Sequence, residues 1–128
     1  MRKLFISLVL ALSLSACTTV QYLEQASGVL ADPKAVYITR QTFNALEITA
    51  TNYIKYCTPN HAATGCSDTA IQQIIPAVRS GRVARSNLTS YAKANPGAGT
   101  PASLYNALVS ATNTLQSISA QYNIGGAK

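Results

Sequence analysis

Apolar residues are distributed along this chain in two ways: one unbroken run near the start, and spaced positions beyond residue 33. The spaced positions recur at steps of three and four, which keeps their side chains on one stripe of an α-helix. Val36, Thr39, Phe43, Leu46, Ala50, Tyr53 and Cys57 form the first stripe, with Arg40, Asn44 and Glu47 assigned to the opposite side. No Gly or Pro interrupts this span, which favours a helix even though its Thr and Tyr residues lean slightly towards a strand. Ala77, Gly81, Ala84, Leu88 and Tyr91 form a second stripe, whose small side chains let a neighbouring helix approach closely. The third and most regular stripe is Leu104, Leu108, Ala111, Leu115, Ile118 and Tyr122. The pattern predicts helices over 34–57, 68–95 and 101–123.

Turn and cap residues bound these elements. Asp32 is a candidate N-cap and Pro33 suits the first helical position. Ser67 or Asp68 caps the second helix, in which Pro76 predicts either a kink or a short lead-in helix at 68–75. Asn95-Pro96-Gly97-Ala98-Gly99 ends it, Thr100-Pro101 offers a cap and first-turn proline for the third, and Gly125-Gly126 closes that one. Residues 18–33 show little periodicity beyond a turn or two around Tyr22, Leu23, Val29 and Leu30, and are read as a flexible tether. Three amphipathic helices on short connectors must bury their stripes against one another. The expected fold is all-α, a small antiparallel three-helix bundle over 34–128, without internal repeats.

The unbroken apolar run has a different meaning. Arg2 and Lys3 precede Leu4-Phe5-Ile6-Ser7-Leu8-Val9-Leu10-Ala11-Leu12-Ser13-Leu14, a length that fits a signal-peptide core of roughly 7–15 residues. It falls short of the roughly 20 residues that a membrane-spanning helix needs. The run ends in Leu14-Ser15-Ala16-Cys17, which resembles the lipobox of bacterial lipoproteins; the resemblance covers residues 1–17. An ordinary secretory signal cleaved near Ala16 is the alternative. The resemblance implies removal of residues 1–16, a diacylglycerol thioether on Cys17, and residues 17–33 as lipidated N-terminus and tether. Two or three acyl chains on that residue would anchor the protein stably, where one chain binds only marginally. Thr18 stands where an aspartate would resemble an inner-membrane retention signal. The implied address is the outer membrane, facing the periplasm.

With Cys17 lipidated, Cys57 and Cys66 remain, on either side of the turn-rich Thr58-Pro59-Asn60-His61-Ala62-Ala63-Thr64-Gly65. An exported chain favours a disulfide there, clipping the loop between the first two helices. A metal site using His61 lacks a fourth ligand and matches no zinc spacing. No metal or cofactor is expected, and His61 reads as an exposed loop residue. Between Cys17 and Lys128 the chain has eight basic and four acidic residues, a modest net charge of +4 that names no partner. Arg79, Arg82 and Arg85, three residues apart, form a slanting ridge on the second helix. They are candidate anion-binding residues for lipid phosphate, lipopolysaccharide or an acidic envelope protein; an ordinary solvated face is the plain alternative. The export signal disfavours DNA binding, and no nucleic-acid partner is expected.

Nothing in the sequence assembles a catalytic site. Ser or Cys nucleophiles need a base beside them, and the single histidine lies in the clipped loop. Glu24, Asp32, Glu47 and Asp68 are scattered, and Gly97-Ala98-Gly99 follows a helix where a phosphate loop would follow a strand. The expectation is a non-enzymatic envelope protein that binds or scaffolds another envelope component. The alternative is a phage-derived lipoprotein for superinfection exclusion or lysis.

Overall fold

A computed structural model describes residues 30–125. The chain divides into two units, Met1–Leu30 and Ala31–Lys128. The first lies almost wholly outside the described residues, as do the expected signal peptide, Cys17 and most of the tether. Within the second unit the described residues form three helices and no strand.

Helix α1 spans Pro33–Cys57. Asp32 is extended (φ −60°, ψ 125°), and its carboxylate accepts hydrogen bonds from the backbone N–H groups of Lys34 (2.7 Å) and Ala35 (3.3 Å). Pro33 follows at the first position, where its missing N–H leaves nothing unsatisfied. Such a cap stabilises a helix by about 1 kcal/mol. Val36, Phe43, Ala50 and Cys57 are buried at two-turn intervals, with Thr39, Leu46 and Tyr53 half-buried between them. The predicted stripe is therefore the buried one.

A chain of turns carries the backbone to the next helix: Asn60 N–H donates to Cys57 O, Ala63 to Asn60 and Cys66 to Ala63. Gly65 sits at φ +89°, a conformation that disfavours any side chain. Cys57 and Cys66 are joined by a disulfide, with Cα atoms 5.4 Å apart, well inside the usual range. Beside it, Ser67 N–H donates to the Tyr53 hydroxyl at 2.8 Å.

Helix α2 spans Asp68–Ala94, and Ser67 is its N-cap, accepting from Ala70 N–H. The helix runs unbroken through Pro76, close to the expected span of 68–95, which excludes the separate lead-in helix at 68–75 that was one of the two outcomes expected there. Pro76 lies on the exposed side, where water can take up the freed carbonyl, while buried Ile74, Ala77 and Val78 hold the chain on either side of it. Ala77, Gly81, Ala84 and Leu88 are buried as predicted. A Cβ built on Gly81 would lie 1.9 Å from a ring carbon of Phe43, so α1's largest core side chain occupies the space that glycine leaves.

Helix α3 spans Ala102–Gln121. It starts one residue later than expected: Pro101 has extended ψ (135°) and is itself the cap, without a side-chain bond. Thr100 does not cap; its backbone carbonyl accepts from Ala31 N–H at 2.9 Å. Leu108, Ala111, Thr112, Leu115 and Ile118 are buried, and the Thr112 hydroxyl donates to Leu108 O. The expected stop at Gly125-Gly126 comes earlier. Asn123 adopts a left-handed conformation (φ 52°), Asn123 N–H donates to Ala120 O and Ile124 N–H to Ser119 O. This is a Schellman ending, and buried Ile124 supplies the apolar contact that accompanies it. Each helix packs against both others, α2 with α3 most extensively and α1 with α2 least. Phe43, Ile74, Leu108 and Leu115 are the large fully buried side chains where they meet.

Candidate functional site

Among the described residues, the least extensive of the three helix seams carries the ion pairs between helices. Half-buried Glu47 of α1 faces α2, and its two oxygens accept from Arg82 Nε (2.5 Å) and Arg85 (2.6 Å). Arg85 also donates to Asn44 Oδ1, and its guanidinium lies 5.3 Å from the centre of the Phe43 ring. One turn further, Arg40 donates to the Thr89 hydroxyl. Arg40, Asn44 and Glu47 were assigned to the side opposite the core stripe. They occupy instead the flank where α2 packs, because a helix between two neighbours is covered on more than its central stripe.

Burial acts first on Glu47 and raises its pKa. The hydrogen bonds and positive charges of Arg82 and Arg85 outweigh it and hold the carboxyl below the usual range. The arginine ridge is thus three different groups. Arg85 is turned inward over Phe43, Arg82 bridges to α1 while more than half exposed, and Arg79 is exposed with no salt bridge among the described residues. Two open grooves follow this seam, of about 560 and 250 Å³, and they share Thr51 and Arg82. Lys55 and Ile48 line the first, Ile75 and Arg79 the second.

A second polar pair joins the disulfide-clipped loop to the start of α2, His61 Nδ1 with Asp68 Oδ1 at 2.6 Å. Sequence reasoning missed it, although the two residues flank one short loop. Both side chains are largely exposed, and no hydroxyl among the described residues hydrogen-bonds His61. Both neighbouring sulfurs are committed to the disulfide.

Comparisons with family models, curated proteins and solved structures gave no match. The residues themselves carry what can be said. Among those described, no helix is long and apolar enough to cross a membrane, and no three His, Cys, Asp or Glu side chains gather to hold a metal ion. Glu47, Arg82 and Arg85 form the densest charged cluster, and its chemistry is electrostatic: two guanidiniums and a nearby ammonium presented along a groove.

Proposed function

We propose that this chain is a bacterial lipoprotein, anchored through lipid on Cys17 to the periplasmic face of the outer membrane. Its helical part serves as a non-enzymatic binding or scaffolding module. The observation that carries the reading is Leu14-Ser15-Ala16-Cys17 at the end of a short apolar run behind Arg2 and Lys3. The Cys57–Cys66 disulfide supports export, since such bridges persist in oxidising compartments. Thr18 in place of an aspartate supports the outer membrane over the inner one.

An antiparallel three-helix bundle is the arrangement we infer for the body. Its support is a ladder of contacts: Glu47 with Arg82, Asn44 with Arg85 and Arg40 with Thr89, stepping back along α1 as they step forward along α2. Gln73 near the start of α2 reaches Tyr122 just past the end of α3, the same relation for the second pair. What supports a binding role over catalysis is that His61, the chain's single histidine, pairs with the exposed Asp68 and hydrogen-bonds no nucleophile among the described residues.

Cys17→Ala tests the anchor. The wild-type chain should incorporate radioactive palmitate and the variant should not, accumulating as precursor or as soluble product. Undiminished labelling of the variant would overturn the lipoprotein reading.

A further inference from the structure

Charge is unevenly placed on this domain. α3 contains no Asp, Glu, Lys or Arg, and its exposed positions are Ser, Thr, Asn, Gln and Ala. Four cations, Lys55, Arg79, Arg82 and Arg85, line the grooves along the α1–α2 seam against one carboxylate, Glu47. Glu47 is shared between Arg82 and Arg85, so positive charge is left in excess. Lys55 and Arg79 make no salt bridge among the described residues. Two large apolar side chains stand exposed in the same grooves, Ile48 at 63% and Ile75 at 43%. Cations alternating with exposed aliphatic groups suit a surface that presents phosphates above hydrocarbon.

We propose that the α1–α2 seam is the face with which this domain lies on an anionic phospholipid bilayer, the charge-free face of α3 turned away from it. The proposal rests on the lipoprotein reading and deepens it by assigning the surface next to the anchor. Guanidiniums take phosphate oxygens bidentately, while Ile48 and Ile75 enter the boundary between headgroups and acyl chains. Fourteen residues lie between Cys17 and Asp32. A chain of that length spans at most about 50 Å, and the charge asymmetry of the domain is what singles out one face. An acidic soluble protein could meet the cations and cover the isoleucines as well; the bilayer is favoured because lipid on Cys17 would hold the domain beside it.

The experiment uses the unlipidated chain starting at Thr18. The core, caps and disulfide all lie within residues 31–125, so this chain keeps the whole folded unit. Co-sedimentation is measured with vesicles of phosphatidylglycerol in phosphatidylcholine and of phosphatidylcholine alone. Binding is expected only to the first, weakening as sodium chloride rises. Lys55→Gln with Arg79→Gln should reduce partitioning by about tenfold or more, leaving circular dichroism and melting unchanged. Lys34→Gln with Lys93→Gln, two cations outside both grooves, should reduce it far less. Ile48→Ser with Ile75→Ser should weaken the binding that remains at high salt. Failure of the wild type to bind phosphatidylglycerol vesicles at low salt overturns the proposal. Equal losses from the groove pair (Lys55, Arg79) and the control pair (Lys34, Lys93) would also overturn it, leaving only net charge. So would capture by soluble polyglutamate without capture by vesicles. No lipid anchor is present in this assay, so its failure and a failure of palmitate labelling on Cys17 are separate results.

Discussion

Glu47 couples the chemistry of a single carboxylate to the closure of a helix seam. Its carboxylate ties Arg82 and Arg85 to α1, and Arg85 is at the same time packed over Phe43. Its pKa in the folded chain lies below the ordinary 4.5, so the ionised form stabilises the fold above that value. The contribution is lost as pH falls through the folded-state pKa. Urea unfolding between neutral pH and pH about 3 should therefore show a steeper loss of stability for the wild type than for Glu47→Gln, which has no proton to take up. Parallel slopes for the two proteins would remove Glu47 from the account. At neutral pH, Arg82→Ala should cost under about 1 kcal/mol because that side chain is 55% exposed. Arg85→Ala, losing charged hydrogen bonds and the ring contact from a more buried position, should cost about 2 kcal/mol. None of this was legible in the sequence. A helical wheel of α1 alone sets Glu47 away from the stripe, and only the position of α2 turns that flank into an interface.

At the scale of elements much more could be read, because caps and periodicity are local. Asp32-Pro33 starts α1 where the sequence places it, and the stripes of α1 and α2 bury the expected side chains. The misses also have local causes. Pro76 removes a helical hydrogen bond, yet of the kink or lead-in helix that the sequence offered, the lead-in helix does not form, because the proline falls on the solvent side while tertiary burial holds its neighbours. Asn123, not Gly125, takes the first left-handed position after α3, since Asn tolerates that conformation and puts buried Ile124 in the apolar position of the ending. Gly81 shows what sequence could and could not say. Its smallness suggested a close helix approach, but not that a phenylalanine ring fills the gap. Alanine is the better helix former by about 1 kcal/mol, yet Gly81→Ala should destabilise the protein. The new methyl meets the Phe43 ring, which is fully buried and cannot move aside freely. A net cost of about 1–3 kcal/mol is expected in chemical denaturation, and Phe43→Leu in the same chain should recover part of it. A stabilised Gly81→Ala protein would show that the ring has room to shift.

For the molecule as a whole, address and architecture separate from task. The anchor reading stands on residues 1–17 and the helical body on repeating stripes. The sequence shows no local cluster of nucleophile, base or metal ligand, and the Glu47, Arg82 and Arg85 cluster, drawn from two helices, has no motif in one dimension. The three seams are also unequal. α2 and α3 pack most extensively, and α1 meets α2 least, through the Phe43 ring at Gly81, the Glu47 ladder and the Tyr53–Ser67 contact beside the disulfide. α1 is therefore the element whose attachment depends most on the Cys57–Cys66 bridge. A bridge closing a loop of about 10 residues is worth about 2–3 kcal/mol by restricting the unfolded chain. Regions with few packing contacts open below the global stability. Reduction should lower the melting temperature, and hydrogen exchange should then distinguish the helices. Amides of α1 that were slow in the oxidised protein should exchange roughly 30- to 100-fold faster, at tenfold for every 1.4 kcal/mol. Amides in the centres of α2 and α3 should accelerate less, because the extensive seam between them is untouched. A uniform acceleration in all three helices would mean that the domain opens as one unit and that the α1–α2 seam is no weaker than the rest.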